Sequence, residues 1–219
     1  MNAVSETPRS SIPRLILAGV GLLFGGGLGY LVGRLIKSGA LDASRFGWSD
    51  SLATLIAACL VVIGLLIGLA SFSRKAVGRM IYSSGTHVAT PAQATFYLQQ
   101  AIVIFLAGVL MAAPVVTAAS FEVIPMVVAS VVMMAILAVF LVQTVYNLVV
   151  WRRSDELLRR VTSETGAVCF WVLQGLLFLS AAAEKLELAP RLTAWDIMTV
   201  LMGTYLVVAS IMSARRGLS

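Results

Sequence analysis

Long apolar stretches separated by short charged connections dominate this chain. About 20 mainly apolar residues, at about 1.5 Å per residue, cross roughly 30 Å of hydrocarbon as a helix. Six stretches qualify: 15–33, 51–72, 96–117, 125–150, 167–183 and 195–213. The third carries Gln99 and Gln100 near its start and Pro114 near its end, and only 118–124, with Glu122, separates it from the fourth. The pattern predicts an all-α, polytopic transmembrane helical bundle of about six spans, arranged as three hairpins. Residues 1–13, rich in Ser and Thr and holding two prolines, read as a disordered cytoplasmic tail. Residues 14–219 read as a single membrane domain. Arg9 and Arg14 before the first stretch mimic a secretory signal. That stretch is longer than a signal's 7–15 apolar residues, however, and no small-x-small cleavage site follows before Arg34, so an uncleaved span is expected.

Composition supports this class. Of the 219 residues, 59% are hydrophobic and 12% charged, where a soluble domain carries about a quarter charged residues. Mean hydropathy is +0.96. A net charge of +6 would suggest nucleic acid for a soluble protein. In a bilayer protein it reports loop orientation and contact with anionic lipid head groups instead.

Basic residues divide unevenly between alternate connections. The N-terminal tail, the second and fourth loops and the C-terminus hold eleven Lys and Arg, and the other three connections hold five. Positive charge favours the cytoplasmic side, so both termini are expected there. Trp48, Trp151 and Trp195 fall at span ends, where an amphipathic ring favours the headgroup layer.

The clearest local pattern is glycine every fourth residue in the first span, at Gly21, Gly25, Gly29 and Gly33, repeated in the second at Gly64 and Gly68. Small residues at this spacing let helices approach closely where lipid offers no hydrophobic drive for association. The two spans are expected to pack on each other as a hairpin, and a contact with a second copy or another membrane protein is the other reading. Ala101, Gly108, Ala112 and Ala113 extend close packing into the third span. No GxGxxG or Walker spacing accompanies the glycines, so they form no phosphate cradle.

Gln143 and Asn147 share one face of the fourth span. Interhelical hydrogen bonds are one use for them, and lining a polar cavity with Gln99, Gln100 and Gln174 is the other. Asp42, Asp50, Glu122, Glu184, Glu187 and Asp196 fall in connections or at span ends and read as solvated. No span core contains an ionisable Asp, Glu, Lys, Arg or His, which disfavours proton coupling. His87 is the sole histidine, Cys59 and Cys169 read as buried small residues, and no GxSxG occurs. Neither a catalytic site, a metal site nor a cofactor is expected. The sequence thus favours a non-enzymatic scaffold, assembly or regulatory subunit, with a small-solute facilitator without proton coupling as the alternative.

The fourth loop reads as a short helix leading into the fifth span. Ser154 is positioned to cap it, Asp155–Arg159 and Glu156–Arg160 are i,i+4 pairs, and Arg152, Arg153, Arg159 and Arg160 are candidate contacts for anionic lipid or a partner. From Asp155 to Arg216 the chain resembles small bacterial two-span membrane proteins of unassigned activity. The matching features are D-E-x-x-R-R at Asp155, Glu156, Arg159 and Arg160, then Glu164, Glu184 in the turn, and the basic Arg215 and Arg216. The resemblance implies membership in a group without assigned activity and no catalytic residue, and the three hairpins with short outer turns are expected to lie in a bacterial inner membrane.

Overall fold

The computed structural model describes residues 47–81 and 87–215, with positions 34 and 37. The predicted span 15–33, with Gly21, Gly25, Gly29 and Gly33, lies outside the described residues, as do the tail 1–13, Asp42 and Arg216. The described residues are helical, without a strand. They form α1 (Trp48–Ser71), α2 (Arg74–Ile81), α3 (Pro91–Ser120), α4 (Met126–Arg153), α5 (Glu156–Lys185) and α6 (Ala194–Arg215). All except α2 are long and apolar enough to cross a membrane, which makes the chain a multi-pass membrane protein built as a helical bundle.

These five helices match the second to sixth predicted spans and mostly overrun them, because helix ends are set by capping chemistry rather than by hydropathy. Helix α3 begins at Pro91, ahead of the expected position 96. Thr90 and Gln93 cap each other's backbone there, Gln93 Oε1 accepting from Thr90 N–H at 2.9 Å and Thr90 Oγ1 from Gln93 N–H at 3.2 Å. Helix α5 begins at Glu156 and runs unbroken through the predicted short helix into the span.

The expected cap and ion pairs of that segment need correction. Asp155 caps α5, its Oδ1 accepting from Leu158 N–H at 2.7 Å. Ser154 closes α4 instead, its hydroxyl donating to Val150 O at 2.8 Å. With the Asp155 carboxylate so occupied, Arg159 turns back and donates to the carbonyls of Trp151 at 3.2 Å and Arg152 at 2.9 Å. Arg160 pairs with Glu164 at 3.0 Å rather than with Glu156.

Contact registers define the arrangement. Helices α1 and α3 are antiparallel, with Gly64 beside Phe105 and Gly68 beside Ala101. Helices α3 and α4 are antiparallel too, joined through Val103 to Gln143 and Gln99 to Arg153. Helix α6 runs parallel to α1, with Asp196 at Ser49 and Gly203 at Ile56, and α5 packs back on α6. The chain thus has two ends. Among residues 47–81 and 87–215, one gathers Arg74, Lys75, Arg79, Arg152, Arg153, Arg159, Arg160 and Arg215 against three carboxylates; the other holds Lys185 and Arg191 against five. The bundle is therefore electrically polarised along its axis.

Its core lies between α1 and α3: Ala53, Ile56, Ala57, Leu60, Met111 and Val115, flanked by Trp195, Met202 and Leu206 of α6. By contrast, α4 buries no residue at all. Several hydroxyls inside the helices satisfy themselves locally, as when Thr117 donates to Ala113 O at 2.7 Å and Ser71 to Ile67 O at 2.7 Å, which suits a medium that offers no water.

Candidate functional site

The closest approach of two helices is the α1–α3 seam, and glycine creates it. A Cβ on Gly64 would stand 2.7 Å from Phe105 N and 2.9 Å from its Cα. A Cβ on Gly108 would stand 2.8 Å from Ala57 O and 2.9 Å from Val61 N. Each helix therefore sets a glycine against the other's backbone, and any side chain at either position pushes the helices apart. Gly68, expected to act as Gly64 does, is less demanding: its Cβ would meet Ala101 Cβ at 3.7 Å, an ordinary contact. Gly64 packs against α3, where Gly108 supplies the complementary recess; the contact expected with the first span lies outside the described residues. Sequence reading placed Gly108 among generally small residues. A stronger signal was its spacing, since Ala101, Gly108 and Val115 recur every seven residues and all are buried.

The second junction, between α1 and α6, is polar. Thr193 and Asp196 form a reciprocal cap at the start of α6. The carboxylate Oδ2 accepts from Thr193 N–H and Oγ1–H, both at 2.8 Å, and Asp196 N–H donates to Thr193 Oγ1 at 3.1 Å. The buried Ser49 hydroxyl of α1 also bonds this carboxylate. Asp196 is consequently buried, which corrects its reading as a solvated carboxylate. The T-x-x-D spacing before an apolar run signalled the cap; nothing in one dimension signalled Ser49. Trp195, expected as an interfacial anchor, packs onto the α1–α3 core with its Nε1 buried and unbonded, and Thr199 Oγ1 beneath it is likewise buried without a partner. Trp48 and Trp151 do stand exposed at helix ends.

The candidate amides separate. Gln143 Nε2 donates to Val103 O at 3.3 Å, and Gln99 Oε1 accepts from Arg153 NH1 at 3.2 Å, so both serve the α3–α4 contact. Asn147 is exposed on α4 and Gln174 on α5. Cys169 is buried on α5, whereas Cys59 is exposed on α1, contrary to the buried reading, because its flank of α1 faces away from α3. A hollow of about 380 Å³ at the α5–α6 turn is lined by Leu179, Ser180, Ala183, Ala189, Pro190 and Leu192. Its one hydroxyl already donates to Leu176 O at 2.9 Å, so it offers shape without chemistry.

Comparison with family models, with characterised proteins and with solved structures finds no match to this chain. The geometry of the two junctions and of the exposed faces therefore carries the functional reading.

Proposed function

We propose that the chain is a non-enzymatic integral protein of a bacterial inner membrane, with six spans and both termini in the cytoplasm. In this reading it is a scaffold, assembly or regulatory subunit acting by helix packing. The observation that carries the reading is α4. It spans 28 residues without burying one, and Val131, Met134, Leu141 and Val145 stand exposed along it. One side is held by α3 through Gln143 and Gln99; the rest is a continuous apolar flank for lipid or another membrane chain. The basic end of the bundle supports its assignment to the cytoplasm, since Lys and Arg are retained there.

Cysteine crosslinking in native membranes tests the proposal. Val131→Cys, Met134→Cys and Leu141→Cys are introduced singly into a Cys59→Ala, Cys169→Ala chain. Met134 and Leu141 lie seven apart, on one face, and are expected to yield the same discrete crosslinked species, from a second copy or one partner. No crosslinked species at any of the three positions overturns the reading.

A further inference from the structure

Helix α2 is an eight-residue element lying just beyond the end of α1, where the transmembrane run has stopped. Its buried side, Val77 and Gly78, is pinned beneath the chain leading into α3. Arg74 Nε donates to Ala89 O at 2.8 Å, and Ala89 N–H returns to Arg74 O at 3.0 Å. The backbone of His87–Ala89 crosses Gly78 so closely that no side chain fits there. The helix is thus held in one orientation, and that orientation leaves Lys75, Arg79 and Met80 exposed; Phe72, in the turn that precedes it, is 80% exposed. No Asp or Glu occurs anywhere between Ser71 and Phe96.

The α4–α5 corner, where sequence alone placed the lipid contact, is different. Arg160 is neutralised by Glu164, Arg159 is committed to the carbonyls ending α4, and Arg153 to Gln99. Asp155 and Glu156 stand within the same corner. Its four guanidiniums face three carboxylates, so little net charge remains to attract an anion.

We propose that α2 is an interfacial helix that binds anionic phospholipid. Lys75 and Arg79 take the headgroup phosphate, and Phe72 and Met80 enter the acyl boundary below it. Charge complementarity selects the partner: two cations that pair with no carboxylate among the described residues, at the level where α1 leaves the hydrocarbon, meet lipid phosphates first. Large apolar side chains beside them favour a lipid surface over a soluble polyanion. The proposal rests on the helices crossing a bilayer and not on the scaffold reading, so either can fail alone.

The test is native mass spectrometry of the purified, delipidated full chain titrated with phosphatidylglycerol or phosphatidylcholine of matched acyl chains. Each surface cation contributes about 1 kcal/mol toward an anionic lipid, about fivefold in affinity. The native chain is therefore expected to prefer phosphatidylglycerol by at least about fivefold. The double variant Lys75→Gln, Arg79→Gln loses that preference, whereas Lys75→Arg, Arg79→Lys and Arg160→Gln retain it. Phe72→Ser weakens binding of both lipids. Equal affinity for the two lipids in the native chain overturns the proposal. So does a preference that survives in the double glutamine variant, or one that Arg160→Gln abolishes equally.

Discussion

Helix α1 meets its two neighbours by opposite means. Toward α3 it offers the absence of a side chain: Gly64 and Gly108 bring backbone against backbone, in a dry seam of Ala53, Ala57, Leu60, Met111 and Val115. Toward α6 it offers a hydroxyl, with Ser49 on the Asp196 carboxylate and the Trp195 and Thr199 polar atoms left unpaired nearby. In a bilayer neither junction gains much from excluding water, because lipid is as apolar as the side chains. The seam is held by dispersion over a close fit, which a single methyl destroys. The α6 junction is held by few directed bonds, so it is local and adjustable. The molecule is accordingly built as a tight α1–α3 pair, with α4 on one flank and the α5–α6 hairpin more lightly attached on the other.

Five substitutions probe this contrast. The largest effect is expected at the seam, where Gly64→Ala and Gly108→Ala each overpack a backbone contact and destabilise by about 2–3 kcal/mol. Gly68→Ala, four residues from Gly64, changes stability by less than about 0.5 kcal/mol, since its methyl has room. Denaturant titration in detergent micelles, followed by circular dichroism, separates the three. Equal losses at Gly64 and Gly68 would mean that a general glycine face matters, and not a specific close approach.

Next comes Asp196→Ala, which removes the α6 cap and leaves the buried Ser49 hydroxyl unbonded, at a cost of about 1–2 kcal/mol. Because the bond lies at one end of a light junction, the loss is expected to be confined to that end. Hydrogen exchange is expected to rise in the first turns of α6 and of α1 while the α1–α3 seam stays protected. Uniform exchange through the bundle would show that the two junctions are one cooperative unit.

The last effect has the opposite sign. Thr199 is fully buried and its hydroxyl has no partner, so Thr199→Val deletes an unsatisfied polar group at nearly constant volume. It is expected to stabilise by about 1 kcal/mol, read as a higher melting temperature in detergent. A loss of stability would reveal a bond that the hydroxyl makes in the native membrane.

Much of this architecture is legible in the sequence, and the illegible parts share a cause. Apolar runs of sufficient length located all five described spans, and Lys and Arg clustering separated the ends as the helix registers do. One helix start was missed where a cap extends the helix past its apolar segment, at Thr90, and the fourth-loop helix was read with its cap one residue early, at Ser154 rather than Asp155. Asp196 illustrates the deeper limit. Hydropathy placed it at a span end, correctly, but solvation depends on what stands beside it, and Ser49 is 147 positions away. Arg152, Arg153, Arg159 and Arg160 formed the densest basic run, yet folding engages three of the four, while the sparser Lys75 and Arg79 remain facing outward.

The amino-acid sequence by itself determined that the chain is helical, that it crosses a membrane repeatedly and which residues lie at each end. Those properties follow from local sums, since hydrogen-bonding the backbone within each apolar segment leaves the helix as the only structure available to it. Tertiary structure alone decided that Gly64 meets the Phe105 backbone of α3, that Asp196 is buried and that α4 is left bare among the described helices. Pairing of helices in lipid depends on the shapes of two surfaces at once, and a one-dimensional pattern carries only one of them.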